Sequence, residues 1–184
     1  MKKRRPNSRE KILAAAADVA REAGPGSLSL DAVASRAGVS KGGLLYNFPT
    51  KAKLMQALVE DYLGEFEERL EAAGAERKGG ENLLSTYVRL SVSECQETHA
   101  SASWIFSAVA EDPEFLTPIK TFRRQLFERL KVEIPDLRAL LVAYLAIEGL
   151  RSLSLFDFEL LSEEEREQLV EVLLSISAGG LPAQ

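Results

Sequence analysis

Apolar residues recur at spacings of three and four along most of the chain, and nowhere do they alternate with period two long enough to make a strand. The pattern predicts an all-α protein of about nine helices. The first runs amphipathically from Arg9 to Ala23. In the second, Leu30, Val33, Ala34 and Ala37 lay one apolar stripe along a short helix behind Ser29. Gly38 stops it, because glycine accepts the left-handed backbone of a sharp turn, and Val39 is placed to plug the angle behind it. Ser40 caps a third helix whose apolar members are Leu44, Leu45 and Phe48; with Val39, the last two are expected in the core. Pro49 ends that helix, and Thr50 caps a fourth with Leu54, Leu58, Tyr62, Phe66 and Leu70 at four-residue spacing, fading near Gly74.

The rest reads as helices too. The Gly79, Gly80 pair marks a loop before a helix from about Glu81 to Thr98 that carries Leu84, Tyr87, Val88, Ser91 and Cys95 on one side. A short helix around Ser101 to Ala110 follows. Asp112 and Pro113 then start another, with Phe115, Ile119, Phe122, Leu126 and Leu130 as its buried face, and Pro135 breaks it. The final pair spans about Asp136 to Leu155 and Ser162 to Ala178, the latter opened by Ser162 and Glu165 in capping-box spacing. In the first of the pair Leu137, Leu140, Leu141 and Tyr144 mark one face, and Val142, Leu145, Ala146, Gly149, Leu150 and Leu153 another. The second sets Leu169, Val172, Leu173 and Ile176 beside Val170 and Leu174. Helices apolar nearly all round must be covered nearly all round, by neighbours in a monomeric bundle or by a second copy.

Charge sharpens the reading of the first third. From Met1 to Lys53 there are eleven Lys or Arg against four acids, about +7, in a chain whose net charge is −5. A polyanion responds to such a local basic region rather than to the global sum, although a basic N-terminus also serves as a solubilising tail. Within it, Leu28 to Leu54 (LSLDAVASRAGVSKGGLLYNFPTKAKL) places a helix, a Gly-containing turn and a second short helix in sequence. That is the helix-turn-helix arrangement, which can seat its second helix in a DNA major groove.

Other chemistry has less support. At 184 residues and 46% hydrophobic, the chain can bury a substantial core. No apolar run reaches the roughly 20 residues that cross a bilayer, and MKKRRPNSRE leads into an amphipathic helix rather than a signal-peptide core. Cys95 is the only cysteine and His99 the only histidine. One of each argues against a zinc site, an internal disulfide or a paired nucleophile; no metal, cofactor or catalytic residue is expected, and the cytoplasm is the expected location.

The segment SLSLDAVASRAGVSKGGLLYNFPTKAKLMQAL, behind the Arg9 to Ala23 helix, resembles the N-terminal DNA-binding domain of the TetR family of bacterial transcriptional regulators. AGVS, LLYNF and the Phe, Pro, Thr, Lys run carry the resemblance. Ala52 stands where an acid is common, and Leu30 and Leu44 where Thr or Tyr often stand, which reads as specificity or packing variation. The resemblance implies a three-helix helix-turn-helix domain over 1–53, with a basic arm at 1–7, and a larger helical effector-binding and dimerisation domain over 54–184.

The expected DNA contacts are Ser29, Arg36, Ser40, Lys41, Gly42, Gly43, Tyr46, Asn47 and Lys51, joined by the Lys2 to Arg5 arm. Lys41 opens the recognition helix toward base edges or phosphate. Gly42 and Gly43 let its backbone lie close to the groove floor, although a frayed helix start also tolerates them. By the resemblance, Tyr46 and Lys51 offer a hydroxyl and an ammonium to phosphates, and the amides that Ser29 caps meet the backbone.

Pairing through the last two helices, also implied by the resemblance, would use Val142, Leu145, Gly149, Leu153, Val170 and Leu174 in a homodimer facing a near-palindromic double-stranded DNA operator. An effector pocket would draw on Phe66, Tyr87, Ser91, Cys95, Trp104, Phe122, Tyr144 and Glu148, most of which serve equally as plain core. Their mixture points to a mostly hydrophobic small molecule with a polar handle. The expected function is a ligand-responsive dimeric DNA-binding regulator, a repressor before an activator. A helical binding module that reads no DNA is the alternative, and an enzyme lacks any phosphate-loop, paired-carboxylate or metal-spacing signature.

Overall fold

The computed structural model describes residues 7–23, 28–77, 81–97, 112–156 and 158–179, and every regular element among them is helical. In chain order these are α1 (Ser8–Ala23), α2 (Leu30–Ala37), α3 (Lys41–Asn47), α4 (Lys51–Ala75) and α5 (Leu83–Glu97). A 3-10 turn at Pro113–Leu116 then runs directly into α6 (Thr117–Glu133), followed by α7 (Leu137–Leu155) and α8 (Glu163–Gly179). The Lys2 to Arg5 arm, His99, Trp104 and the helix expected around Ser101 to Ala110 lie outside the described residues.

The expected start signals act as caps. Ser162 and Glu165 bond reciprocally to each other's backbone N–H; Asp136, expected only as the approximate start of its helix, turns out to be its cap and accepts from the N–H groups of Arg138 and Ala139 at the head of α7. Two more appear where none was expected: Asn7 with Glu10 before α1, and Asn82 with Ser85 before α5.

Two compact units divide the chain, Met1–Leu63 with Ala100–Lys120, and Gly64–His99 with Thr121–Gln184. The first unit buries Ile12, Leu13 and Ala16 of α1, Val33 and Ala34 of α2, Leu44 of α3 with Phe48 after it, and Leu54 and Met55 of α4 around one apolar core. Ala52 and Leu44 are both inside, so the departures at these two positions are packing choices. Phe115, from the 3-10 turn, completes the same core at 0% exposure. Burying a phenylalanine side chain stabilises by about 1.5–3 kcal/mol. Beside it, Asp112 caps the turn through the Glu114 N–H and meets Lys53 Nζ at 2.7 Å.

The second unit gathers Phe66 and Leu70 of α4, Leu84 and Tyr87 of α5, Leu126 and Leu130 of α6, Leu140, Ala143, Ile147 and Leu150 of α7, and Leu173 of α8. Asn82 Nδ2 ties the start of α5 to the Ser177 carbonyl near the end of α8 at 2.6 Å.

Three expected stripes are redrawn. On α4, Leu54 and Leu58 pack in the first core and Phe66 and Leu70 in the second, while Tyr62 between them is 42% exposed. The stripe from Phe115 to Leu130 likewise splits, because Phe115 serves the first core and Leu126 and Leu130 the second. On α7 the buried face is Leu140, Ala143, Tyr144, Ile147 and Leu150, which joins members of both faces drawn from sequence; Leu137, Leu141, Val142 and Leu145 all point outward. A helix turns 3.6 residues per cycle, so 140, 144, 147 and 150 share one side and 142, 145 and 149 the other.

Candidate nucleic-acid interface and interior polar cluster

The two short helices of the first unit meet as the turn residues dictate. Gly38 ends α2 at φ +65°, its N–H bonding back to the Ser35 carbonyl at 3.2 Å, and Val39 N–H reaches the Ala34 carbonyl at 3.0 Å. A Cβ at Gly38 would meet nothing within 4 Å, so the backbone angle alone calls for glycine. Ser29 caps α2 through the Ala32 N–H, and Ser40 caps α3 through the Gly43 N–H at 3.0 Å.

Adjacent glycines in α3 have different causes. A Cβ on Gly43 would come within 3.2 Å of the Ser40 hydroxyl, so the cap crowds it. Gly42 has its nearest neighbour at 4.0 Å, and nothing among the described residues asks for its small size.

The predicted contact residues fall into two groups. Tyr46 is 89% exposed, and Lys41, in the first turn of α3, is exposed as well and makes an exposed ion pair to Asp31 at 2.9 Å. Exposed pairs of this kind are weak, so a phosphate can compete for the ammonium. Lys51 begins α4, half-buried, next to the Thr50 cap that accepts from the Lys53 N–H. The other group is turned inward on the fold. Arg36 makes a two-pronged bond to Glu22 at 2.9 and 2.6 Å, which raises its guanidinium pKa and clasps α2 to α1. Asn47 Nδ2 donates to the Gly43 carbonyl at 2.8 Å. Leu45, expected in the core, is instead 36% exposed on α3, while Phe48 is buried and Val39 partly so.

In the second unit the interior is aromatic and charged at once. Phe66 meets Tyr87 and Phe122 edge-on, with ring centroids 6.0 and 5.9 Å apart, and Tyr87 stacks on Tyr144 at 5.9 Å. The Tyr87 hydroxyl donates to Glu148 Oε1, and Arg123 Nη2 lies 2.7 Å from Oε2 of the same carboxylate. Arg151 donates to Tyr87 and Ser91 at 3.3 Å each, stands 3.7 Å from Glu94, and lies 5.0 Å over the Phe66 ring. Glu94 in turn pairs with Arg69. Burial drives both tyrosine pKa values up, that of Tyr144 to about 12, so both hydroxyls stay protonated as donors. Cys95 closes one end, its carbonyl accepting from Ser154 Oγ at 3.3 Å; burial raises its thiol pKa and leaves it a poor nucleophile.

Seven of the eight expected pocket residues therefore sit in one unit, the eighth being Trp104 outside the described residues. Sequence reasoning missed Arg69, Glu94, Arg123 and Arg151. A signal was present: Ser91 and Glu94 on α5, and Glu148 and Arg151 on α7, stand three apart and so share a face with the apolar residues already taken as core.

Of the residues expected between two copies, Val142 is 46% and Leu145 64% exposed, Gly149 is open and Leu153 half-buried. Val170 and Leu174 lie partly against the unit's own core, whereas Val172 beside them is 54% exposed. Among the described residues no cluster of side chains fit to hold a metal ion occurs, and no helix is long and apolar enough to cross a membrane.

Residues 12–58 match the model of the bacterial regulatory proteins of the tetR family, and residues 81–178 that of the tetracyclin repressor-like C-terminal domain. SCO7518 from Streptomyces coelicolor A3(2) is similar in structure, with a TM-score of 0.69 at 19% identity over 94% of this chain and 99% of that one. So is the multidrug binding protein EbrR in complex with imidazole, with a TM-score of 0.66 at 20% identity over 97% and 98% of the two chains. EbrR is also known in complexes with malachite green and with proflavin. A TetR-family transcriptional regulator from Streptomyces coelicolor is 25% identical over 92% of this chain and 96% of its own, with a TM-score of 0.58. No curated protein matches the chain in sequence.

Proposed function

Because the chain belongs to the TetR family of bacterial regulatory proteins, and so is a transcription regulator with a helix-turn-helix domain and a ligand-binding C-terminal domain, we propose how its residues divide that work. It acts as a homodimeric repressor that leaves a near-palindromic operator when a small, mostly hydrophobic effector enters the second unit. One observation carries the DNA side of this reading: α3 exposes Lys41, Gly42 and Tyr46 together, on a helix whose Leu44 and caps anchor it from behind. Lys41, Gly42 and Tyr46 face the groove, and Lys51 and the amides capped by Ser29 meet phosphate. Ser40 and Gly43 shape the start of α3, Asn47 steadies its end, and Arg36 fixes α2 against α1 through Glu22, each serving the contact at one remove.

Dimerisation is supported by the outward apolar face of Val142, Leu145 and Gly149 on α7 with Val172 on α8, which a second copy would cover around a two-fold axis. Leu153, Val170 and Leu174 flank it. The effector acts by linkage: a ligand that favours the conformation unable to span two half-sites weakens DNA binding by its differential affinity for the two states.

Gel retardation with the intergenic DNA beside the gene tests the reading. Tight, sequence-selective and salt-sensitive retardation is expected, and Lys51→Ala should weaken it on every sequence and flatten the salt dependence by about one unit of slope. Weak retardation regardless of sequence would instead make this a helical module that reads no operator.

A further inference from the structure

Glu148 is the one described residue with a buried side-chain oxygen that accepts no hydrogen bond, and it sits among rings. Its side chain is 12% exposed, and Oε1 takes the Tyr87 hydroxyl. Oε2 is shielded from solvent and has no hydrogen bond among the described residues; Arg123 Nη2 stands 2.7 Å away, near enough to balance the charge but out of line for the bond. The two partners of this ion pair are unequally placed, since the Arg123 side chain is 49% exposed. Arg123 can therefore withdraw into water at little cost, whereas Glu148 cannot follow, and a buried carboxylate left without a cation is strongly disfavoured. Tyr87 and Tyr144 stack beside it, Phe127 lies 5.0 Å from Tyr144, and Phe122 approaches through Phe66. Aromatic faces attract positive charge.

We infer that Glu148 receives the charged end of the effector, that the effector is a hydrophobic organic cation, and that Arg123 is the displaceable counter-ion holding its place. This rests on the reading of the second unit as the effector-binding half. The incoming cation supplies the charge that Arg123 removes, and an N–H on it supplies the hydrogen bond that Oε2 lacks. An anionic effector would either have to draw Arg123 off Glu148, leaving a buried carboxylate with no cation, or recruit Arg151, which is already shared among Tyr87, Ser91, Glu94 and the Phe66 ring.

The test is a titration of the full chain, free of DNA, with proflavin, a flat aromatic cation followed by its own fluorescence. The anionic dye 8-anilinonaphthalene-1-sulfonate is the control. Saturable proflavin binding is expected, weakened at least about tenfold in Glu148→Gln, which keeps an acceptor for Tyr87 but loses the charge. In Arg123→Gln the Glu148 carboxylate loses its counter-ion, so the free protein should melt lower, proflavin should bind several-fold tighter, and the bound dye should restore the melting temperature. Neither variant should alter binding of the anionic dye. The assignment is overturned if Arg123→Gln weakens proflavin, if a Glu148→Gln protein with an unchanged melting curve binds it as wild type does, or if only the anionic dye binds. Operator retardation is read separately. A protein that holds its operator but ignores proflavin loses the cation assignment and keeps the regulator; one that binds proflavin through Glu148 yet holds no DNA keeps the site and loses the regulator.

Discussion

Among the described residues the first unit buries Ile12, Leu44, Leu54 and Phe115 with no charged side chain, whereas the second threads Glu94, Glu148 and Arg151 between Phe66, Tyr87 and Tyr144. Apolar jigsaw packing has one good arrangement, which would suit the proposed presentation of Lys41, Gly42 and Tyr46 in fixed register. Charged groups inside a core are costly unless fully partnered, and their partners can be exchanged for those of a ligand. The contrast separates a part built to hold still from a part built to be answered.

The largest way to break this contrast is to open the first core. Phe115→Ala should cost about 3–5 kcal/mol, seen as a lowered urea midpoint, with operator affinity falling alongside. If stability is unchanged, the first unit does not depend on that plug. Next comes the charged chain: Glu94→Leu removes the carboxylate that faces both Arg151 and Arg69, and because Arg69 can reach solvent while Arg151 is mostly buried, a loss of about 3 kcal/mol is expected. A neutral or stabilising result would show that the charges are dispensable for folding and are kept for binding alone.

Smaller changes sharpen the contrast within the first unit. Gly38→Ala meets no atom but must hold φ +65°, so about 1–2 kcal/mol of strain should appear in thermal melts. Gly42→Ala should do the reverse, adding up to about 1 kcal/mol of helix stability while weakening operator binding, because only an outside surface can object to its methyl group. Unaltered retardation would remove Gly42 from the interface.

The smallest expected effect is the pH response of the clasp at Asp112. The bond to Lys53 holds the Asp112 carboxyl below its ordinary range and raises the Lys53 ammonium above its own. The carboxylate's contribution is present above its unfolded pKa, near 4, and lost as pH falls through the lower folded value. That of the ammonium is present below about 10.4 and lost as pH rises through the higher folded value. Asp112→Asn should flatten both edges of the stability curve relative to wild type.

Much of this was legible in the residues. Caps and turns are local, so Ser29, Gly38, Ser40 and Asp136 act where their chemistry places them. Periodicity found the helices but not their partners. It cannot tell one long stripe from two stripes laid end to end, which is why α4 read as continuous through Tyr62 and why Phe115 was grouped with Leu126 and Leu130. On α7, apolar residues occupy both the buried and the outward side, so sequence alone drew the faces one step out of phase. Arg151 and Glu94 escaped notice because charge inside a core is visible only when the rings around it are.

Phe115 also sets an order of events during synthesis. Helices α1 to α3 leave the ribosome long before residue 115 does, and a chain is made from its N-terminus at a pace slow enough for early segments to explore structure. Until that ring arrives, the core that backs the helix-turn-helix lacks one of its fully buried side chains, so a nascent chain, or one clipped before Asp112, carries that head without its full packing.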